Sequence, residues 1–304
     1  PPGVSDVKFD FGTSILTVTS NETLSTRPEN QNFGSAFIRN VSLFVNDTDN
    51  NQVSLAGSVV IKAELDIFAV RLPEESRVKL LYFSSQPIGD GTPLVIDIAA
   101  GSFKDLAGNN LVEALGLVIN EVPDTIAPTL ISSATLQYGT GLLRLSMSET
   151  IDLTPIDLIN MTKFFLSNST GDKAHSLSGA KITGVDAQTL IIQLTELQRV
   201  TALASSGTQG GDGHALTLDI NAGALVDLSS NLVEEVVGHP ILETSDTIKP
   251  TISNVSFNYS DGVMLIHASE TVDLTPTSKV NLQHVGITNE TGGASPHWLP
   301  RQPQ

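Results

Sequence analysis

The chain contains no cysteine. That absence excludes disulfide staples, thiolate metal sites and cysteine nucleophiles. It does not fix the compartment, because a domain of about 120 residues can bury a core without a covalent cross-link. Cationic side chains are scarce: 16 Lys and Arg stand against 33 Asp and Glu, a formal charge of −17. Phosphate neutralisation needs clustered Lys and Arg, so nucleic acid and anionic membrane surfaces are not expected partners. Cations are favoured instead, and acidity also keeps an extracellular protein soluble. No apolar run approaches the roughly 20 residues of a membrane span, so no membrane insertion is expected. Aromatic residues make up 5% of the chain, with one tryptophan. No loop gathers the aromatic cluster that sugar stacking uses. No leader is visible, and Pro1-Pro2-Gly3 reads as a mature or trimmed terminus.

Catalytic patterns are missing as well. The histidines His175, His214, His239, His267, His284 and His297 are dispersed, without an H-E-x-x-H or an i,i+4 pair. There is no G-x-S-x-G elbow. The Gly-rich stretch at 207–215, GTQGGDGHA, lacks the G-K-[ST] ending of a phosphate loop and follows a helix-like segment, so it reads as a connection. The pairs Glu74-Glu75 and Glu234-Glu235 read as solvated faces. The chain is not expected to be an enzyme.

What the chain has is repetition. DTIAPTLISSATLQYGTGLLRLSMSETIDLTP begins at Asp124 and returns at Asp246 as DTIKPTISNVSFNYSDGVMLIHASETVDLTP. A weaker copy opens the chain, with Phe11 in the place of Tyr138 and Glu22 in the place of Glu149. Farther on, residues 93–109 (PLVIDIAAGSFKDLAGN) match residues 215–231 (ALTLDINAGALVDLSSN). A period of about 120 residues denotes tandem domains, since solenoid units run about 20–50 residues. The expected organisation is repeat 1 over 1–123, repeat 2 over 124–245, a partial third repeat over 246–294, and a Pro-rich tail over 295–304.

Apolar residues alternate, as in Leu143, Leu145 and Met147, or Leu94, Ile96 and Ile98. Half-buried strands read this way, because successive side chains face core and solvent. Strands punctuated by Gly, Asp and Asn turns over about 120 residues predict a β-sandwich. Two segments, 72–83 and 194–205, instead carry apolar residues at three- and four-residue spacing, with Pro73 suited to a first helical turn. Each predicts a short helix crossing between sheets. The fold class expected is therefore all-β, with one short crossover helix per repeat.

Eight N-x-S/T acceptors are present, at Asn21, Asn40, Asn46, Asn160, Asn168, Asn254, Asn258 and Asn289. Asn46, Asn168 and Asn289 fall at one place in the three repeats. They predict N-linked glycans and a secretory, extracellular route. Serine- and threonine-rich strands also generate such triplets as a by-product.

The linker DTIAPT, the strand end SETIDLTP and DLAGN at 105–109 together resemble bacterial-type immunoglobulin-like repeats, the Big-like and Swm-type repeats of large cell-surface proteins. The second unit departs to DLSSN at 227–231. The resemblance covers nearly all the chain before residue 296. It implies tandem immunoglobulin-like β-sandwiches in an extracellular spacer, stalk, adhesin or filament, and fixes no ligand.

Calcium is the one cofactor the residues raise. Hard cations need several oxygen ligands, and a domain junction can gather them from two units. The first junction offers Asp124 with Glu22 and Asp105; the second offers Asp246 with Glu149 and Asp227. The same aspartates can instead cap tight turns through their own side chains.

The third repeat holds the linker and first strands, then gives way to SPHWLPRQPQ. Such a half-sandwich leaves open edges and an uncovered apolar face that includes Met264 and Ile266. One reading is a piece of a longer chain, an adhesin stalk or ligand-binding module. The favoured reading is completion by another protomer, with Trp298 as an anchor, giving a head-to-tail homo-oligomeric filament.

Overall fold

A computed structural model describes residues 1–25, 36–40, 52–168, 173–287 and 297–298. The described chain is dominated by β-sheet and forms two compact units, Pro1–Asp246 and Thr247–Gln304. No helix among the described residues is long and apolar enough to cross a membrane.

Repeat 1 begins with β1 (Val4–Asp10), β2 (Ile15–Ser20), β3 (Ala36–Asn40), β4 (Gln52–Ser54), β5 (Val59–Glu64) and β6 (Ile67–Arg71). Helix α1 (Glu74–Phe83) follows, then β7 (Leu94–Ile98), β8 (Ala114–Val118) and β9 (Asn120–Val122). One sheet has the order β5-β6-β2-β1-β9 and the other β4-β3-β7-β8, so α1 carries the chain from the first to the second. Pro73 precedes α1 and Glu74 and Glu75 occupy its first turn, where acidic groups meet the positive helix end.

Repeat 2 follows the same plan. It comprises β10 (Ala134–Gln137), β11 (Leu142–Ile151), β12 (Phe164–Ser167), β13 (His175–Ser176), β14 (Lys181–Ile182) and β15 (Ala187–Gln193). Helix α2 (Glu196–Ala204), β16 (Thr217–Ile220) and β17 (Val236–Thr244) complete it. A capping box starts α2: Gln198 N donates to Thr195 Oγ1, and Thr195 N donates to Gln198 Oε1. The long strand β17 pairs antiparallel with β16 over its first half and parallel with β10 over its second. It thereby joins what would be two sheets into one of order β13-β12-β16-β17-β10-β11-β15-β14. In repeat 1 the same path is broken at Ile119, leaving β8 on β7 and β9 parallel to β1. At the bulge in each path a glycine at φ 65° donates its N–H to a buried aspartate, Gly116 to Asp97 and Gly238 to Asp219, both at 2.6 Å.

The alternation read from the sequence packs as expected: Leu143, Leu145 and Met147 are all fully buried. Two hydrophobic clusters result. One draws on residues between Val7 and Ile119, and also takes in Leu228 of repeat 2; the other lies between Ala134 and Ile241. The expected boundary at 123/124 falls inside the first compact unit, and the first cluster crosses it at Leu228.

The second unit contains β18 (Ile252–Asn258), paired antiparallel with β19 (Val263–Ala268), and a short pairing of β20 (Gly286–Ile287) with β21 (His297–Trp298). Among the described residues, β18 and β19 form a sheet of two strands.

Candidate functional site

Where the repeats of the first unit meet, α1 presents Arg77 on its buried side, 2% exposed. The guanidinium forks onto Glu74 one turn earlier, with Nε to Oε2 and Nη2 to Oε1 both at 2.6 Å. Its Nη1 donates to Asp124 Oδ2 at 3.0 Å, and Nη2 lies 3.3 Å from Glu149 Oε2. Glu74 is therefore not on a solvated face, as the sequence suggested: its side chain is largely buried, and its Oε1 also accepts from Thr150 N at 2.8 Å. Helix α1 of repeat 1 is tied by one arginine to the linker and to the end of β11 in repeat 2.

Asp124, Glu149 and Asp227 offer carboxylate oxygens that all lie within 4.8 Å of one another, and all three residues are buried. The grouping differs from the sequence expectation. Asp124 joins the Glu and Asp of the repeat that follows it, not Glu22 and Asp105 of the repeat before. Glu149 and Asp227 likewise do not gather at Asp246. Asp124 Oδ1 also accepts from Ile126 N at 2.9 Å, a turn within the linker. Glu22 is exposed.

The two aspartates of the D-L-x-x-N turns show what this placement does. Both accept from an asparagine four residues on, Asp105 from Asn109 and Asp227 from Asn231. The Asn109 hydrogen bond holds Asp105 below the usual carboxylate range. Burial instead pushes Asp227 up, with the charge of Asp124 adding to it. Asn231 Nδ2 also reaches Asp124 O at 3.3 Å, so the same turn clamps the linker backbone. Burial, and next the charge of Asp124, push Glu149 up to about 9 against the pull of Arg77. Burial works against the Arg77 charge, yet its hydrogen bond to Glu74 and three neighbouring carboxylates hold its pKa above the ordinary value.

A cation fits this donor set by charge, and Asp124, Glu149 and Asp227 are the residues that could hold one. Most of these oxygens already accept hydrogen bonds or face the guanidinium. Both oxygens of Asp124 accept N–H groups, from Ile126 and Arg77. Both oxygens of Asp227 accept from Asn231, and Oδ1 also accepts from Ser229. Arg77 already serves Asp124 and Glu149 as a counter-charge. A calcium ion here would compete with the guanidinium for them. Clefts flank the cluster on both sides, one of about 440 Å³ beside Asp124 and Ser229, another of about 310 Å³ beside Glu149 and Arg77.

The arginine device recurs at α2. Arg199 forks onto Glu196 with both contacts at 2.7 Å, and its Nη1 donates to Tyr138 O at 3.1 Å and Asp246 Oδ2 at 2.9 Å. Arg77 Nη1 makes the corresponding contact to Phe11 O, at 3.5 Å. Neither arginine stands out in the sequence, although a Glu three residues before and an Asp 47 residues after recur for both.

The Gly-rich loops after each helix hold an internal anion. Ser85 N and Leu94 N donate to Glu121, and Gly207 N and Leu216 N donate to Glu243. The loop GTQGGDGHA, read from the sequence as a connection, thus closes around a glutamate of β17, the last strand of its own repeat. Glu243 Oε1 also accepts from the buried Tyr138 hydroxyl at 2.7 Å; burial and then this bond raise the tyrosine's pKa.

Of the sequon asparagines, Asn21, Asn160, Asn254 and Asn258 are exposed. Asn168 is half-buried, with Nδ2 donating to Asp212 at 2.7 Å. Asn46 and Asn289 lie outside the described residues; Asn40 and Trp298 are placed in β3 and β21 by backbone alone. Met264 is half-buried on β19 and Ile266 is exposed there.

The sequence matches no known family profile and no curated protein. Among solved structures, the S-layer protein rSbsC(31-844) aligns at 11% identity and a TM-score of 0.29. The alignment covers 88% of this chain and 32% of that one, so the chain spans about a third of the length of that relative. The FN1–FN3 domains of chicken CNTN1 align at 12% identity and a TM-score of 0.21, covering 80% of this chain and 69% of that one. A marsupial T cell receptor aligns at 12% identity and a TM-score of 0.18, covering 84% and 76%.

Proposed function

We propose that the chain is an extracellular structural protein of tandem immunoglobulin-like β-sandwiches, and a protomer of a surface filament. In this reading two complete sandwiches run in series, and the third is completed head-to-tail by another chain. N-linked glycans at the exposed Asn21, Asn160, Asn254 and Asn258 coat the outside.

One observation carries the reading. Ala134, Leu136, Tyr138, Leu145, Ile151 and Leu153 are at most 5% exposed in repeat 2. Their counterparts in the second unit, Val255, Phe257, Tyr259, Ile266, Val272 and Leu274, are 40–92% exposed. A soluble monomer rarely presents a contiguous apolar surface of this kind; such surfaces mark interaction sites. The residues have core chemistry, and β18–β19 alone does not bury them.

The test is cryo-EM of the native material. Regular fibres with density covering the β18–β19 hairpin are expected, and a chain lacking residues 247–304 is expected to stay monomeric. Assembly that survives this deletion would sink the proposal. Isolated rods of a longer chain would turn the reading to an adhesin stalk or spacer.

A further inference from the structure

We infer that the side chains of Lys173 and Asn221 become joined by an amide bond, formed by the chain itself with Glu235 moving a proton and ammonia as the leaving group. This modification concerns repeat 2 alone and does not depend on the filament reading.

The fold brings the three groups together from separate elements. Ile220 ends β16 and pairs with Val236 at the start of β17, so Asn221 and Glu235, one residue farther out on each strand, are neighbours. The backbone of Asn221 is fixed, its N–H donating to Lys163 O at 2.9 Å. Lys173 lies two residues before β13 at φ 53°, a left-handed backbone that a β-carbon disfavours. Its Nζ donates to Asn221 Oδ1 at 2.5 Å and stands 3.2 Å from Glu235 Oε1. Among the described residues, Asn221 Nδ2 makes no hydrogen bond.

Amide transfer needs this constellation. With Nζ 2.5 Å from the oxygen, a C=O bond of about 1.23 Å puts it no farther than about 3.7 Å from Asn221 Cγ. Productive attack geometries hold the reacting atoms about 3–3.5 Å apart, and such placement is worth effective concentrations of roughly 10⁵–10⁸ M. The amine attacks only after losing a proton, and Glu235 Oε1 is placed to take it. Nζ then bonds to Cγ. Of the two protons that the ammonium sheds overall, one passes through Glu235 to Nδ2 and the other goes to water. The Cγ–Nδ2 bond breaks, its electron pair leaves with the nitrogen, and ammonia departs. The Lys173 and Glu235 side chains are 33% and 54% exposed, so water reaches the site and ammonia can escape. The bond forms once in the life of a chain, so the step need not be fast.

Other amines are placed differently. Lys79 and Lys163 donate to backbone carbonyls, where the same attack would cut the chain. Repeat 1 carries Ala99 where repeat 2 carries Asn221, so it has no amide to offer there. The partners are 48 positions apart, and the segment between them holds β13 through β16 with α2. A link that closes this segment restricts the unfolded chain as a disulfide does, in a protein with no cysteine.

The test is the intact mass of the full chain, produced in bacteria so that no N-linked glycan is added. A mass about 17 Da below that of the sequence is expected, the loss of one ammonia, and a tryptic digest should hold one branched peptide joining Lys173 to Asn221. Lys173→Arg keeps the charge but removes the nucleophile, and is expected to restore the full mass. Linkage in Glu235→Gln, sampled over time after expression, is expected to be about a hundredfold slower. A wild-type chain at its full sequence mass overturns the proposal and leaves an ordinary hydrogen bond and ion pair. So does a 17 Da loss that persists in Lys173→Arg, which would be an asparagine cyclising on its own backbone. Linkage at the wild-type rate in Glu235→Gln overturns the role given to the glutamate.

Discussion

Arg77 and Glu149 belong to different repeats, 72 positions apart in the chain, and their side chains stand 3.3 Å from each other in a buried site. Between them the linker residue Asp124 accepts from the arginine and leans on the glutamate. The junction is therefore held by side chains packed and charged on both sides, not by a loose connector.

Removing the arginine should be severe. Arg77→Ala leaves the buried carboxylates of Glu74 and Asp124 without their counter-charge, and breaking a buried pair in this way costs about 3–5 kcal/mol. Arg199→Ala should cost clearly less, because its partners Glu196 and Asp246 are more exposed to water. Urea denaturation of the two variants checks the order; equal losses would contradict it.

Stability should fall as the pH rises across the neutral range. The folded state holds the Glu149 proton up to about 9, whereas the unfolded chain releases it near the ordinary carboxylate value. The stabilisation is complete below that ordinary value and is lost as pH rises through 9. Asp227, also raised, works in the same direction. Asp105 is lowered, so its contribution is lost only as pH falls below the carboxylate range. The Tm should peak under mildly acidic conditions and decline toward pH 9. Glu149→Gln, which mimics the protonated form, should flatten that decline; an unchanged slope would place the titration elsewhere.

Chelation gives an independent check on the guanidinium as the resident cation. EDTA, and calcium added back, should leave the Tm of the wild-type chain unchanged. A calcium-dependent rise of several degrees would mean that the carboxylates prefer a metal to Arg77.

The loops behind the helices admit no side chain at one point each. A Cβ on Gly89 would lie 2.1 Å from Ser84 O, and one on Gly211 would lie 2.1 Å from Ser206 O. Both positions abut backbone, which cannot rotate away. Gly211→Ala should cost about 2 kcal/mol or more and loosen the hold of Leu216 N on Glu243. Thermal melts test this, and a neutral substitution would show the loop to be pliable.

Strand identity was legible because period-2 patterning reports burial directly, as at Leu143, Leu145 and Met147. The helices were legible from spacing and from Pro73. The carboxylate cluster was visible residue by residue, yet its partition was not. A repeat alignment equates Asp124 with Asp246, but does not say whether a linker residue packs backward or forward. Arg77 was illegible for a different reason. An arginine among Val78, Leu80 and Leu81 reads as a long side chain reaching past an apolar face toward water. Only its recurrence with Glu74 and Asp124, matched by Arg199 with Glu196 and Asp246, marks it as a hub.

The pairing of β10 with β17 also bears on how the chain would carry load. Tension enters repeat 2 through the linker at the start of β10 and leaves through the end of β17, and these two strands are parallel neighbours. Pulling them in opposite directions slides one along the other, so their hydrogen bonds and the Tyr138–Glu243 bond are strained together. Antiparallel neighbours pulled from one end would instead open bond by bond. In repeat 1 the corresponding strands β1 and β9 are arranged alike. Each repeat thus resists extension in shear, the stronger of the two geometries, and does so along the line of the chain.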